Sequence, residues 1–298
     1  MNILMAVNQN YFLQMLTLLC SLGENNSSKI DVYLIHNELT AKHIQLVQNM
    51  MKEKNYGCVY EIKVDSTFLE GAKVNEHFSI EMYYRIYASE LLPKEIDRIL
   101  WLDADIVTIK SIEGLYHTDL QGNSIAACVH RERFAGCDAI NDRAVKRLEM
   151  DPECRYFNSG VLLMDLKKIR ENFQKEAVTE LIYQKESVLE NPDQDILNLL
   201  YCHDVLLLDE SVYNYQVHYD WDAVNEQQHV LNNVVILHFV GPAKLWKPDT
   251  MHFTYDYYWR YYLVHGSKAN YEAYKVKYIL VTIVRSIKLF IKKLLRKA

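Results

Sequence analysis

Short apolar runs alternate with helix-length amphipathic segments through the first half of the chain. Residues 3–7 read as a strand, and a helix is predicted from about Tyr11 to Leu22. Residues 31–36 form a second strand, Thr40 caps a helix reaching about Lys54, and residues 58–64 form a third strand. A helix from Ser79 to Leu91 is stopped by Pro93, and residues 98–102 are a fourth strand. Strands that alternate with helices predict a sheet wound from parallel units, with ligands beyond the carboxyl ends of the strands.

The second half is less regular. Residues 125–129 read as a strand, 139–149 as a short helix in a polar stretch, and 161–164 as a buried strand. A helix follows over about 166–184, then another over 196–201 opened by Asn191-Pro192-Asp193-Gln194-Asp195. Residues 205–208 and 234–239 close the pattern as two short strands.

The fourth strand ends abruptly in Asp103-Ala104-Asp105. In an extended backbone, side chains two apart leave the same face, so these carboxylates can converge on one point. Two anions held together need a cation, and hard oxygen ligands suit Mg²⁺ or Mn²⁺. Asp is also a common turn residue, so the pair alone decides nothing. His238 ends the last apolar run and would complete an N/O site for Mn²⁺, although one His at a strand end is more often structural. Lys244, six residues on in a Gly241-Pro242 loop, could meet an anion near that metal or be a solvated lysine. An N-cap is the usual explanation for an Asp such as Asp193 or Asp195 at a helix start, but a cap does not call for Gln194 between them.

Composition narrows the choices. Half the 298 residues are apolar and 24% are charged, as in ordinary globular proteins. Neither GxGxxG nor GxxxxGK[ST] occurs among only nine glycines, which excludes the usual dinucleotide and P-loop readings. The net charge of −6 hides an asymmetry, because six basic residues and no acid lie from Arg285 onward. An acidic body argues against nucleic acid as a partner. Six scattered cysteines (Cys20, Cys58, Cys128, Cys137, Cys154, Cys202) read as reduced thiols, which suits the cytosol. The N-terminus runs straight into strand-like residues without a basic leader, and no run of 18 apolar residues exists.

Taken in order, Ala6-Val7-Asn8-Gln9-Asn10-Tyr11, Tyr84-Arg85, Leu102-Asp103-Ala104-Asp105, Phe157-Asn158-Ser159-Gly160, Asp193-Gln194-Asp195 and His238-Phe239-Val240-Gly241-Pro242-Ala243-Lys244 form a recognisable series. The series resembles glycosyltransferase family 8, the retaining transferases that include bacterial lipooligosaccharide galactosyltransferases, general-stress glycosyltransferases and glycogenin. The resemblance covers roughly residues 1–250. It implies an α/β GT-A nucleotide-diphospho-sugar transferase fold, with a mixed, mostly parallel central sheet flanked by helices; beyond it, the residue pattern predicts a C-terminal helical tail over 251–298.

The resemblance also implies a hexose, galactose or glucose, moved from a UDP-sugar to a glycan or glycolipid acceptor. Asp103, Asp105 and His238 would hold Mn²⁺, or Mg²⁺, against the UDP phosphates. Ala6, Asn8, Asn10 and Tyr11 would line the uridine pocket, with Ala104 near the ribose. Arg85, Asn158, Asp193 and Gln194 would surround the sugar, and Gly241 and Lys244 would close on the diphosphate. Relatives often carry Asp where this chain has Asn8, yet Asn can still accept a hydrogen bond from uracil. Gln194 stands at the position where a double displacement would need a nucleophile, and an amide is a poor one. A front-side mechanism is therefore expected, with Gln194 and Asp193 as catalytic residues. His130 is the first acceptor-side candidate, in the irregular stretch 130–156.

The tail has its own pattern. Seven aromatics lie between Phe253 and Tyr262, and residues 278–298 show an apolar helical face opposite Arg285, Lys288, Lys292 and Arg296. Such a helix fits an anionic membrane interface through residues 279–298, or packing on the body or another subunit. The expected location is cytoplasmic, peripheral on the inner face of the cell membrane. Two further readings stay open: a self-glycosylating enzyme, which the 22 tyrosines invite, and a catalytically silent UDP-sugar-binding scaffold.

Overall fold

In chain order the strands are β1 (Asn2–Ala6), β2 (Ile30–His36), β3 (Gly57–Lys63), β4 (Arg98–Leu102), β5 (Ile106–Thr108), β6 (Ile125–Val129), β7 (Phe157–Asp165), β8 (Val205–Leu208), β9 (Tyr215–Gln216) and β10 (Ile236–His238). The α-helices are α1 (Phe12–Asn25), α2 (Ala41–Glu53), α3 (Ala88–Leu91), α4 (Glu113–Tyr116), α5 (Cys137–Leu148), α6 (Leu166–Asn172), α7 (Lys175–Lys185), α8 (Pro192–Tyr201), α9 (Glu210–Tyr213), α10 (Val224–Asn232) and α11 (Tyr255–Tyr262). This computed structural model describes residues 1–65, 80–130, 137–217, 224–241, 244, 246, 254–266, 268–269, 271–273, 275–277, 279–280 and 283–284.

The main sheet has the order β3-β2-β1-β4-β7-β6-β8. Every neighbouring pair is parallel except the two that involve β7, so β7 alone runs the opposite way. That reversal matters for function. It brings the start of β7 to the edge where the parallel strands end, so Asn158-Ser159-Gly160 meets the end of β4. The junction is fixed by Leu102 opposite Val161 and by the Asp103 N–H donating to the Gly160 carbonyl at 2.9 Å.

A second sheet, β5-β10-β9, begins where the chain turns at Asp103-Ala104-Asp105 and leaves the main sheet. The two carboxylates thus sit on a turn between β4 and β5, and not on the continuous extended strand that the i, i+2 argument assumed. α1 anchors β5 from behind, because the Thr108 N–H donates to Ser21 Oγ at 3.0 Å. Residues on both faces of β1, β2, β4 and β7 are buried, which explains why those strands read as continuous apolar runs.

Several local expectations are revised. Thr40 does cap α2, in a box with His43. The helix expected over 166–184 is two helices, broken at Phe173 and Gln174. The helix expected over 79–91 is a 3-10 turn at Ile80–Arg85 followed by α3, and Ser79 lies outside the described residues. Neither Asp193 nor Asp195 is the N-cap of α8; that position is Asn191, without a side-chain bond. Asp195 reaches back to the Glu190 and Asn191 amides at 2.8 and 3.1 Å and forms a bidentate pair with Arg147 at 2.8 and 2.9 Å. Cys154 and Cys202, expected as free thiols, are joined in a disulfide, whereas Cys20, Cys58 and Cys128 are free. Their 48-residue separation hides the pairing, but the fold brings the two Cα atoms to 5.3 Å, within disulfide reach.

The aromatic segment also turns inward. Tyr258, Trp259, Tyr261 and Tyr262 are buried among Cys20, Val107, Leu237 and Phe239, so α11 seals the second sheet. Tyr261 accepts a hydrogen bond from Asn25 Nδ2 at 2.7 Å, tying α11 to α1. Phe253 and residues 285–298, with the basic face expected there, lie outside the described residues. Among the described residues no helix is long and apolar enough to cross a membrane.

Asp195→Ala should destabilise the fold by about 3–5 kcal/mol, because it removes a fully buried carboxylate that holds Arg147, the Tyr156 hydroxyl and two backbone amides. Among the described residues it leaves Arg147 only the exposed Glu190 at 3.5 Å as an anion. Urea denaturation would measure this, and a loss below about 1 kcal/mol would show that the pair is not structural.

Candidate active site

The site is assembled where the ends of β1 and β4, the start of β7 and the end of β10 come together. His238 is delivered by strand register: antiparallel pairing sets it opposite Ile106, and the Phe239 N–H donates to the Asp105 carbonyl at 2.9 Å. The imidazole therefore lies beside the turn. Its Nε2 is 3.2 Å from Asp105 Oδ1 and 3.9 Å from Asp103 Oδ2. Ligand atoms of Asp103, Asp105 and His238 all fall within 4.8 Å of one another.

Each carboxylate has its own cation. Asp103 Oδ1 is 2.8 Å from Arg85 Nη2 and accepts the Trp101 indole N–H at 2.9 Å. Arg85 itself lies 4.3 Å over the Trp101 ring. Asp105 is paired with the Lys244 ammonium, which also donates to the Phe239 carbonyl. Burial alone would raise the Asp105 pKa, but Lys244 and then His238 overcome it and hold the carboxyl well below the usual carboxylate range. Burial would lower the Lys244 pKa, and Asp105 reverses that, keeping the ammonium charged. Asp193 goes the other way: burial raises its pKa, against Arg85 at 3.1 Å.

Two side-chain amides, Asn214 and Asn158, connect His238 to a third, Gln194, and two backbone N–H groups fix their orientation. The Ser159 N–H donates to Gln194 Oε1 at 3.1 Å, which identifies that atom as the oxygen. The Gly160 N–H does the same for Asn158 Oδ1 at 2.9 Å. Asn158 Nδ2 then donates to Gln194 Oε1 at 3.0 Å, and Asn214 Nδ2 donates to Asn158 Oδ1 at 2.8 Å. This leaves Asn214 Oδ1 facing His238 Nδ1 at 2.8 Å, so that nitrogen carries a proton, while Nε2 is the ring atom turned toward the two aspartates. Gly160 allows the approach, since a Cβ there would lie 2.2 Å from His238 Cε1. At the other end, Gln194 Nε2 is buried without a hydrogen-bond partner.

A cavity of about 200 Å³ opens beside the carboxylates, lined by Ala6, Asn8, Tyr11, Arg85, Asp103, Ala104 and Asp105 together with Val7, Glu81 and Met82. Two larger hollows of about 540 Å³ lie elsewhere, one between α2 and His265 and one against α6 and α7. Neither touches this group of residues.

The expected residues are thus largely gathered. Asn8 Oδ1 accepts the Asn10 N–H at 3.0 Å and caps the turn Gln9–Tyr11, while the Asn10 side chain faces solvent. Tyr11 stands edge-on to Trp246 at 6.0 Å, next to Lys244. Gly241 adopts φ +75°, a conformation that favours glycine. Pro242 and Ala243 lie outside the described residues. His130 lies 3.4 Å from Asn158 Nδ2 on the Gln194 side. Asn158 uses its whole amide within the network, so it orients Gln194 and Asn214.

Trp101, Ser159, Glu81 and Asn214 were missed from sequence. Trp101 could have been found, since it precedes Asp103 by the two-residue step that keeps side chains on one face. Asn214 could not, because only the pairing of β9 with β10 brings it to His238.

A sequence profile described as "Glycosyl transferase family 8" matches residues 2–250. The chain is similar to the lipopolysaccharide 1,2-glucosyltransferase of Escherichia coli (strain K12), 28% identical over 266 residues, covering 87% of this chain and 76% of that protein. It is also similar to general stress protein A of Bacillus subtilis (strain 168), 27% identical over 219 residues, covering 67% and 71%. Among solved structures, the galactosyltransferase LgtC in complex with donor and acceptor sugar analogs matches with a TM-score of 0.75 and 22% identity, over 92% of this chain and all of that one. At that identity the likeness concerns the fold, which is the GT-A arrangement.

Nitrogen-15 NMR should show His238 Nδ1 carrying a proton, and Asn214→Ala should remove that preference. A wild-type ring with Nδ1 unprotonated would overturn the orientation of the amide chain.

Proposed function

The chain belongs to glycosyl transferase family 8, and from that premise we propose that it moves a hexose, galactose or glucose, from a UDP-sugar to a hydroxyl of a cell-surface glycan or lipid-linked acceptor. The observation that carries this reading is the convergence of Asp103, Asp105 and His238 beside the cavity at the strand ends. The lipopolysaccharide glucosyltransferase named among its relatives supports the acceptor class.

Two carboxylates and an imidazole whose Nε2 is turned toward them fit Mn²⁺, with any proton on that nitrogen displaced on binding; the nitrogen ligand makes Mg²⁺ the weaker alternative. When bound, such an ion supplies positive charge to the diphosphate as the sugar–phosphate bond breaks. The remaining contributions come from the chain. Lys244, charged and buried beside the turn, offsets the charge that develops on the departing UDP. Arg85 holds Asp103 and Asp193 in place from one guanidinium.

Retention follows from attack on the face the leaving group departs from. The acceptor oxygen bonds to the anomeric carbon while the carbon–oxygen bond to UDP breaks. Its electron pair stays with the diphosphate, and the acceptor proton passes to a diphosphate oxygen. Neither protein candidate is well placed to be a nucleophile instead. Asp193 Oδ2 is held by Arg85 Nε and Ser159 Oγ, and Gln194 Oε1 accepts two hydrogen bonds. The unpartnered end of Gln194 is its amide nitrogen, a hydrogen-bond donor that meets a sugar or leaving-group oxygen.

Self-glycosylation would have to use an exposed phenol such as Tyr60 or Tyr183, and a labelled donor incubated with the protein alone would then label the chain itself. A silent scaffold would not require the two aspartates to be kept apart from other anions by three positively charged or protonatable side chains. For the tail, the exposed Ile279, Leu280, Ile283 and Val284, together with the basic and apolar pattern of the sequence beyond them, support attachment of residues 279–298 to an anionic membrane at the cytoplasmic side. In this reading the catalytic domain spans residues 1–250, α11 packs against it, and attachment belongs to the last twenty residues.

Incubation with UDP-glucose and UDP-galactose should release UDP only when Mn²⁺ is present, and Asp103→Ala should slow release at least about 100-fold, or roughly 2.7 kcal/mol of barrier. Release unaffected by that substitution would sink the proposal, and isolation of a glycosyl-Asp193 or glycosyl-Gln194 adduct would sink the front-side step. Deleting residues 279–298 should move the protein from the membrane fraction to the supernatant while donor hydrolysis continues; unchanged membrane recovery would rule out that attachment.

A further inference from the structure

A second cluster of metal-binding side chains lies away from the site described above. Cys202 is the C-cap of α8, and Cys154 lies in the loop that leads into β7. The helix separates this cluster from Asp193 and Gln194 at its other end by roughly 15 Å. A disulfide accounts for the two sulfurs, but not for their neighbours. His203 Nε2 lies 3.6 Å from Cys154 Sγ and 3.2 Å from Asp151 Oδ2. The same ring nitrogen thus faces both a sulfur and a carboxylate oxygen. Asp151 is oriented for this by a turn, because its other oxygen accepts the Glu153 N–H at 2.9 Å.

Zinc has bond lengths of about 2.3 Å to sulfur and about 2.0 Å to nitrogen or oxygen, in a tetrahedron. Those lengths give tetrahedral edges of roughly 3.5 Å between sulfur and nitrogen and roughly 3.3 Å between nitrogen and oxygen. The two observed spacings, 3.6 and 3.2 Å, match them. The sulfur–sulfur edge does not match while the sulfurs are bonded. The ligand atoms of Cys154, Cys202 and His203 nevertheless all lie within 4.8 Å of one another.

We propose that Cys154, Cys202 and His203 bind one Zn²⁺ when the disulfide is reduced, with Asp151, which contacts only the His203 end of this group, swinging in to complete the tetrahedron. A dithiol reductant supplies two electrons and two protons, is itself oxidised to a disulfide, and leaves two protein thiols. Zinc binding then releases those two protons to solvent as both thiolates coordinate. The ligand set separates the two metal centres chemically: soft thiolates select Zn²⁺ here, whereas two carboxylates and one imidazole serve a harder ion at Asp103. Either linkage, disulfide or zinc, ties the loop before β7 to the end of α8. Two residues further on, Tyr156 donates to Asp195 in the first turn of that helix, so the loop is fastened to α8 at both ends.

The test uses the full chain carrying Asp103→Ala, which removes the other candidate metal centre. After anaerobic reduction, exposure to Zn²⁺ and gel filtration, elemental analysis should find one zinc per chain. Cobalt in place of zinc should give a thiolate-to-metal charge-transfer absorption that the oxidised protein lacks. Both signals should vanish in the Cys154→Ser/Cys202→Ser variant. His203→Ala, at a largely exposed side chain, should fold normally and lower zinc affinity at least tenfold. Reduced protein that retains no zinc would overturn the proposal and leave a simple disulfide. Zinc retained in the double serine variant would overturn it equally, by locating the metal elsewhere.

Discussion

Two carboxylates cannot stay within 5 Å of each other at the end of a buried strand without positive charge around them. At an effective dielectric of about 20, the repulsion between Asp103 and Asp105 is on the order of 3–4 kcal/mol, more than a surface ion pair returns. Arg85 is committed to Asp103 and Lys244 to Asp105, with His238 between them. The three come from chain segments more than 150 residues apart at the extremes. The electrostatic demand of three residues at one turn therefore dictates how a 3-10 turn, a short strand and a C-terminal loop must be arranged.

Backbone geometry meets that demand. The turn at Asp103-Ala104-Asp105 sends β5 out of the main sheet, and β10 pairs with β5 in the register that puts His238 beside Asp105. The reversed β7 supplies the opposite wall from its first residues. Two of its N–H groups, at Ser159 and Gly160, set the direction of the amides from Gln194 to Asn214, and with it the proton on His238 Nδ1. A buried polar network of this kind is stable only when its members are satisfied. Its one atom without a hydrogen bond, Gln194 Nε2, is fully buried.

Packing behind the site is equally specific. α11 covers the small second sheet with Tyr258, Trp259, Tyr261 and Tyr262, which would otherwise expose β10 on its outer face. On the other flank, Arg147, Asp195 and Tyr156 join α5, α8 and the approach to β7. Burial raises the Tyr156 pKa well above normal, and Asp195 adds to it, so the phenol stays a hydrogen-bond donor. Both flanks restrain the strands from which the functional side chains project.

The alternation of apolar runs and amphipathic segments was enough to place the sheet strands and most helices, because periodicity reports burial directly. The series from Asn8 to Lys244 was enough to point to the family and to most of the cavity-lining residues. Sequence alone misplaced what depends on direction or distance. It could not say that the aromatic segment at Tyr258 packs on the second sheet, since rings facing a membrane and rings facing a sheet have the same composition. It left Cys154 and Cys202 as thiols, because a pairing across 48 residues has no local signature. Asn214 and the reversal of β7 were invisible for the same reason. What the chain determines by itself is which residues are apolar, which are charged and how they repeat. Which partner each charge and amide finds was decided only by the tertiary structure, because hydrogen bonds and ion pairs depend on separations of a few ångströms that sequence distance does not encode.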